Sequence, residues 1–96
     1  MTRRVFKYEV TEKDFEISAR VMGGFSLFAQ QGGKLCVWFE VDDAEGGKVR
    51  APFRVVATGE EVPGDALWLA SCSCDGGNFI WHLYQMSIWW PDNAKG

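Results

Sequence analysis

Side chains that can act as nucleophiles, bases or metal ligands are concentrated at residues 66–90, which read ALWLASCSCDGGNFIWHLYQMSIWW. Cys72, Cys74 and His82 supply the sulfur and nitrogen ligands that zinc prefers, and Cys36 would complete a set of four. Such a site would form only if the strands that carry these residues bring the thiols and the imidazole to one place.

A predicted hairpin decides whether they meet. Asp75–Gly76–Gly77–Asn78 separates two apolar segments, and a loop at Gly76–Gly77 is favoured because glycine accepts the positive φ of a two-residue turn. The resulting register pairs Ser71 with His82. One face then carries Trp68, Ala70, Cys72, Cys74, Phe79, Trp81 and Leu83. The other face carries Ser71, Ser73, Asp75, Ile80, His82 and Tyr84.

This register places the two thiols and the imidazole of His82 on opposite faces of the hairpin. The spacing of Cys72 and Cys74 is also shorter than the usual separation of paired zinc ligands. We therefore expect small apolar thiols in a core and no metal site. A loop of three or five residues would change which residues share a face of the hairpin, and this argument against a zinc site would then not apply.

Ser71 and His82, with Asp75, also have the residue types of a Ser–His–Asp triad. Asp75 lies two pairs closer to the turn, too far to contact the imidazole that faces Ser71. We expect a hydrogen-bonded Ser–His pair on a polar sheet face, no catalytic residues and no cofactor. The residues thus favour a protein that is not an enzyme.

The rest of the chain reads as further short strands between turns. Apolar and polar residues alternate over 5–10, 15–19, 25–31, 34–42 and 49–58, and Gly32–Gly33 predicts another tight hairpin. We predict a single all-β domain over residues 1–96 with about seven mostly antiparallel strands and little or no helix. It would form a meander, a sandwich or a small barrel, with residues 91–96 as a flexible tail. Pro52 lacks a ladder donor, which favours a sheet edge or a bulge there.

Composition restricts the possible partners. The net charge of −3 argues against a DNA- or RNA-binding surface, and no apolar run is long enough for a membrane helix. Three cysteines without a recognisable secretion signal favour a reducing, intracellular setting. Aromatic residues make up 15% of the chain, and the adjacent Trp89 and Trp90 point to opposite sides of a strand. We therefore expect a homo-oligomer, with Trp89 and Trp90 in an interface.

Two polar strand faces together form a candidate ligand site. An aromatic platform beside arginine and hydroxyl groups would hold the base and the phosphate of a nucleotide. The candidate ligand-binding residues are Trp38, Arg50, Arg54, Thr58, His82 and Tyr84. The alternative is that the two arginines pair with acidic side chains at Glu40, Asp42 or Glu45.

The order and spacing of several segments resemble a family of small accessory proteins encoded by tailed bacteriophages. The matching segments are FKY at 6–8, QQGG at 30–33, L at 35, VW at 37–38, VD at 41–42, FRVVATG at 53–59, GG at 76–77 and FIWHLY at 79–84. They span residues 5–85, and the pair Trp89–Trp90 lies beyond them. The resemblance implies a phage accessory protein in the host bacterial cytoplasm and brings no catalytic residues.

With this resemblance, the residues favour a non-enzymatic binding protein that counters host defence. It would either block a host immune protein through the aromatic edge at Trp89–Trp90 or sequester a signalling cyclic nucleotide at the candidate ligand site. One alternative is a small structural or assembly protein of the virion. A less favoured one is a small hydrolase or nuclease that depends on His82.

Overall fold

This computed structural model describes residues 3–42 and 50–87, with the backbone alone for residues 23–26. The described residues form seven antiparallel β-strands. The strands are β1 (Arg3–Glu9), β2 (Asp14–Ile17), β3 (Arg20–Gln31), β4 (Lys34–Asp42), β5 (Ala51–Ala57), β6 (Leu67–Cys74) and β7 (Phe79–Gln85). A 3₁₀ turn at Asp75–Gly77 is the helical element of these residues. None of the described residues belongs to a helix with the length and apolarity to cross a membrane. The predicted all-β fold is confirmed.

The strands form two sheets whose inner faces pack against each other, so the fold is a sandwich. Sheet A has the strand order β1-β4-β3, and sheet B has the order β2-β5-β7-β6. Edge strand β3 of sheet A runs beside edge strand β6 of sheet B.

Alternation along β4 shows why the sheets pack face to face. Val37, Phe39 and Val41 are fully buried, whereas Trp38 and Glu40 between them are only partly buried. Because successive side chains of a strand point to opposite faces, this apolar set fixes the inward face of β4. The alternation predicted for residues 34–42 is confirmed for these five residues.

Aromatic rings join the two sheets at the centre of the core. Phe39 of β4 and Phe53 of β5 stack with their centroids 4.7 Å apart and an interplanar angle of 24°. Phe53 also stacks on Phe15 of β2 at 5.4 Å, and Phe39 contacts Tyr8 of β1 at 6.5 Å. Each such pair contributes about 0.5–1.5 kcal/mol beyond the burial of its area. The surrounding buried residues include Ile17, Phe28, Val37, Val41, Ala51, Val55 and Leu83.

Pro52 lies inside sheet B, so the prediction of a sheet edge or a bulge at this residue is wrong. β5 lies between β2 and β7, and Pro52 is opposite Glu16 of β2. Pairing of β5 with β7 begins one residue later, at Phe53, while the carbonyl of Pro52 accepts a hydrogen bond from the N–H of Met86 (2.9 Å). The backbone N–H that Pro52 lacks would stand at the end of the ladder between β5 and β7. A proline is tolerated there because at most one terminal hydrogen bond is lost.

Replacement of Phe53 by alanine is expected to lower the free energy of unfolding by about 3–5 kcal/mol, because it removes a fully buried ring and two stacking contacts. The matched control is Phe79→Ala, since Phe79 is 54% exposed. Its cost should stay within about 1 kcal/mol. Chemical denaturation followed by tryptophan fluorescence measures both, and equal losses would contradict the central position of Phe53.

Candidate functional site

A β-bulge in β6 determines which side chains face outward on sheet B. Trp68 pairs with Tyr84, but the next pair is Ala70 with Leu83, so Leu69 is an extra residue on β6. The predicted unbroken register, which placed Trp68 on the face of the thiols, is wrong at this residue. Because Leu69 and Ala70 both pack against the core, the bulge turns Trp68 to the outer face, beside Tyr84.

Beyond the bulge, the predicted pairing of the hairpin is confirmed. The pairs are Cys74–Phe79, Ser73–Ile80, Cys72–Trp81 and Ser71–His82. Gly76 and Gly77 have positive φ angles of 65° and 95°, and the N–H of Asn78 donates to the carbonyl of Asp75 (3.1 Å), as a two-residue loop requires. Asp75 also has a positive φ of 54°, and it lies in the turn because β6 ends at Cys74.

Four side chains form a continuous hydrogen-bonded chain on the outer face of sheet B. The indole Nε1 of Trp68 donates to Ser71 Oγ (3.0 Å), and Ser71 Oγ contacts His82 Nδ1 (2.7 Å). On the other side of the ring, His82 Nε2 contacts Thr58 Oγ1 (2.9 Å), which donates to the carbonyl of Ile80 (3.5 Å). This outer-face network (Trp68, Ser71, His82 and Thr58) links β6, β7 and the residue that follows β5.

The donors of the network distinguish the two neutral tautomers of His82. An indole N–H can only donate, so Ser71 Oγ accepts from Trp68 and keeps its own proton available for His82 Nδ1. Thr58 Oγ1 donates to the carbonyl of Ile80 and therefore accepts from His82 Nε2. Of the two neutral tautomers, the one with its proton on Nε2 satisfies every one of these bonds. The other tautomer would leave the bond from Thr58 to Ile80 unmade.

This geometry differs from that of a catalytic triad. Hydroxyl groups of Ser71 and Thr58 occupy both ring nitrogens of His82, whereas a triad has a carboxylate on the nitrogen opposite its serine. The carboxylate of Asp75 lies in the hairpin turn and accepts a hydrogen bond from the side chain of Asn78 (3.5 Å). The predicted Ser71–His82 pair is confirmed, and its effect is to tie strands together.

The two arginines of the candidate ligand site form ion pairs with β2. Arg54 binds Asp14 through two hydrogen bonds, Nε to Oδ1 at 2.6 Å and Nη2 to Oδ2 at 3.1 Å, and the hydrogen bond to Asp14 raises the pKa of Arg54. Arg50 donates to Glu16 Oε2 (2.6 Å). The predicted pairing of these arginines with Glu40 is wrong, because Glu40 pairs with Arg3. Glu45, another predicted partner, lies outside the described residues. The reason is strand order, because β2 lies next to β5.

The candidate ligand-binding residues therefore divide between two sides of the sandwich. Arg54, Thr58, His82 and Tyr84 lie on the outer face of sheet B. Trp38 lies on the outer face of sheet A, where the ammonium of Lys7 is 5.8 Å from its ring centroid. The prediction that Trp38 shares a site with the other residues is wrong. Arg50 is exposed and precedes β5, while the predicted interface residues Trp89 and Trp90 lie outside the described residues.

Trp68 is the residue of this face that the sequence failed to indicate. It is 54% exposed, although its indole N–H is fixed by Ser71. Ile80 is likewise exposed on this face. The sequence holds no signal for the bulge that moves Trp68 outward, since both residues that follow it are apolar.

The three thiols lie away from the imidazole of His82. For Cys72 and Cys74, this is the separation that the predicted register of the hairpin requires. Both are buried in the core with their sulfurs 3.5 Å apart, whereas His82 is on the outer face. Burial, with a smaller effect of the Cys74 thiol, raises the pKa of Cys72 to about 11. Cys36 is buried on β4, where its thiol donates to the carbonyl of Lys34 (3.6 Å).

Fold and site together define a small antiparallel β-sandwich whose outer sheet face carries an ordered hydroxyl–imidazole–indole network. The chain belongs to the family described as a domain of unknown function, DUF7352, whose family model matches residues 1–89. No curated protein and no solved structure matches the chain.

The raised pKa of Cys72 predicts a loss of stability at alkaline pH. The folded protein keeps a thiol proton that the unfolded chain releases near the ordinary pKa of 9.0. The free energy of unfolding should therefore fall as the pH rises from 9.0 to about 11, by about 1–3 kcal/mol. In Cys72→Ala, the fall in the free energy of unfolding with pH should be less steep. Burial also raises the pKa of Tyr8, but Tyr8 contributes equally to the wild type and to the variant. Denaturation at a series of pH values measures the dependence of the free energy of unfolding on pH for both proteins. An identical dependence would contradict the raised pKa of Cys72.

Proposed function

We propose that this protein is a non-enzymatic binding protein that a phage uses in the host bacterial cytoplasm to counter host defence, and that it acts by occupying a host immune protein. The observation that supports the protein-binding mode is that the ring of Trp68 is both exposed and fixed in place. Its side chain is 54% exposed, yet its indole N–H is held by Ser71. An exposed ring that is already fixed loses little conformational freedom on binding, which is why such rings are effective anchors in protein interfaces.

The surroundings of Trp68 fit a protein interface. Tyr84 lies directly opposite it on β7, and the exposed Ile80 shares the same face. The hydroxyl groups of Ser71 and Thr58 lie between these apolar side chains and are bonded to His82. A patch with aromatic and aliphatic groups and few charges has the composition of an interface centre.

The charges next to Arg54 argue against the nucleotide-sequestering mode. A cavity of about 300 Å³ there is lined by Lys13, Asp14, Arg54, Val56, Glu60 and Glu61. A phosphate would have to displace Asp14 from its two hydrogen bonds with Arg54. The hydrogen bond from Lys13 lowers the pKa of Glu60, so this carboxylate is also charged at neutral pH and repels an anion.

The predicted nucleotide site also lacks one of its aromatic residues on this side of the molecule. Trp38 lies on the outer face of sheet A, across the core from Arg54 and His82. The apolar cleft between the sheets, lined by Val10, Thr11, Glu12, Lys13, Leu35, Val55 and Trp81, has a volume of about 170 Å³. It is smaller than the usual range of small-molecule pockets, about 300–1,000 Å³. A protein partner is thus the better fit to this surface.

Trp68→Ala is expected to weaken binding to the host partner by about 30-fold or more, because it removes the anchor of the interface. The matched control is Leu67→Ala. Leu67 is 61% exposed, but as the neighbour of Trp68 it points to the other side of β6. A partner captured from host extract is purified, and its dissociation constant is measured for wild type and both variants.

The same variants are compared by phage plating on a host that carries the defence system and on a host that lacks it. Wild type and Leu67→Ala should raise plating on the defended host, and folded Trp68→Ala should not. Full binding and full plating by Trp68→Ala would contradict the proposed face. Mass spectrometry that finds retained cyclic nucleotide would overturn the protein-blocking mode in favour of sequestration.

A further inference from the structure

β1 presents a free backbone edge at the rim of sheet A. Among the described strands, it is paired with β4 on one side and with no strand on the other. Every residue of β1 except Tyr8 is exposed, and the exposed fractions of Val5 and Phe6 are 56% and 39%. A free row of N–H and C=O groups on a strand of this length is a template for pairing with another strand.

A hydrogen bond from Val10 shows which residues of β1 direct their backbone groups to the free edge. The N–H of Val10 donates to the carbonyl of Leu35, next to β4 (2.8 Å), which continues the pairing of β1 with β4. In an antiparallel ladder, alternate residues bond to the same neighbour, so the even-numbered residues of β1 bond to β4. The N–H and C=O groups of Arg3, Val5, Lys7 and Glu9 therefore point away from β4.

We propose that the strand that pairs with this edge is β1 of a second copy of the chain, in a two-fold antiparallel arrangement centred on Phe6. Sheet A then continues across both copies. Arg3 lies opposite Glu9 of the second copy, and Val5 lies opposite Lys7. All four residues direct their backbone groups to the free edge, so the new hydrogen bonds form without disturbing the pairing of β1 with β4.

Charge selects this register over the neighbouring ones that keep the same backbone alternation. Centring the pair on Val5 places Arg3 opposite Lys7 of the second copy. Centring it on Lys7 places the two lysines opposite each other. Like charges directly opposite are destabilising, whereas unlike charges are favourable. The arrangement centred on Phe6 pairs all seven residues of β1 and puts unlike charges at both ends.

Side chains already on sheet A leave the edge accessible. A lysine in the middle of an edge strand often protects it from pairing. Here Lys7 donates to the side chain of Gln31 and lies 5.8 Å from the ring centroid of Trp38, so its ammonium is on the outer face of the sheet. Arg3 pairs with Glu40 (2.7 Å) and Glu9 with Lys34 (3.7 Å), but such exposed pairs are weak enough to rearrange.

Exchange of charges between copies tests the proposal, with molar mass measured by light scattering on the full chain. Wild type should approach twice 10.8 kDa between micromolar and hundred-micromolar concentration. Arg3→Glu puts two glutamates opposite each other, and Glu9→Arg puts two arginines opposite each other. Each variant alone should need at least about tenfold more protein to dimerise, since like charges oppose at both ends.

An equimolar mixture of the two variants restores unlike charges at both ends, and it should dimerise at the concentration that wild type needs. Each variant also loses an ion pair within its own chain, and circular dichroism checks that it is folded. Mixing does not repair those internal changes, so recovery arises only from contact between copies. A monomeric wild type, a mixture that associates no better than its components, or a dimer unchanged in every variant would overturn the proposal.

A second pair of variants tests the backbone edge itself. Val5→Pro removes one donor from the free edge and none from the pairing with β4, while Val5→Thr keeps the donor. The proline variant should be monomeric where the threonine variant is dimeric, and equal dimerisation would contradict edge pairing. This inference is independent of the proposed function, because Trp68 lies on sheet B. Trp68→Ala should therefore dimerise as wild type does.

Discussion

The stacked contact between Phe39 and Phe53 is the interaction on which the rest of the molecule depends. It joins β4 of sheet A to β5 of sheet B at the centre of the core. With these two rings directed inward, the alternation of a strand directs Trp38 outward on one sheet and Arg54 outward on the other. The two outer faces thus lie on opposite sides of the sandwich, and each must be considered separately as a surface for recognition.

On sheet B, one extra residue determines which face of β6 carries Trp68. Without the bulge at Leu69, Trp68 would point to the side of the thiols, and its indole would not meet Ser71. With the bulge, a chain of hydrogen bonds runs from Trp68 to Thr58 through His82. The imidazole bridges the hydroxyl group of Ser71 on β6 and that of Thr58, the residue that follows β5.

Much of this fold could be predicted from the sequence, because it follows from the period of two along each strand and from glycines at the turns. The register of the hairpin, and with it the separation of Cys72 from His82, depends on Gly76–Gly77 alone. The bulge could not be predicted, since Leu69 and Ala70 are both apolar and either fits the core.

The partners of Arg50 and Arg54 also could not be predicted, because they depend on which strands are neighbours in the sheet. β2 lies beside β5 although more than thirty residues separate them in the chain, and no local pattern encodes that pairing. The same limit applies to Trp38 and His82. Their chemistry is compatible with one ligand site, but the topology puts them on different sheets.

The tautomer of His82 tests most directly the proposal that the outer-face network is a fixed scaffold for recognition rather than a reactive pair. The chain has a single histidine, so its two ring nitrogens can be assigned without ambiguity by nitrogen-15 NMR at neutral pH. The hydrogen bonds of the network predict that the neutral ring carries its proton on Nε2, while Nδ1 accepts from Ser71. A proton on Nδ1, or an average over both tautomers as in a free imidazole, would contradict it.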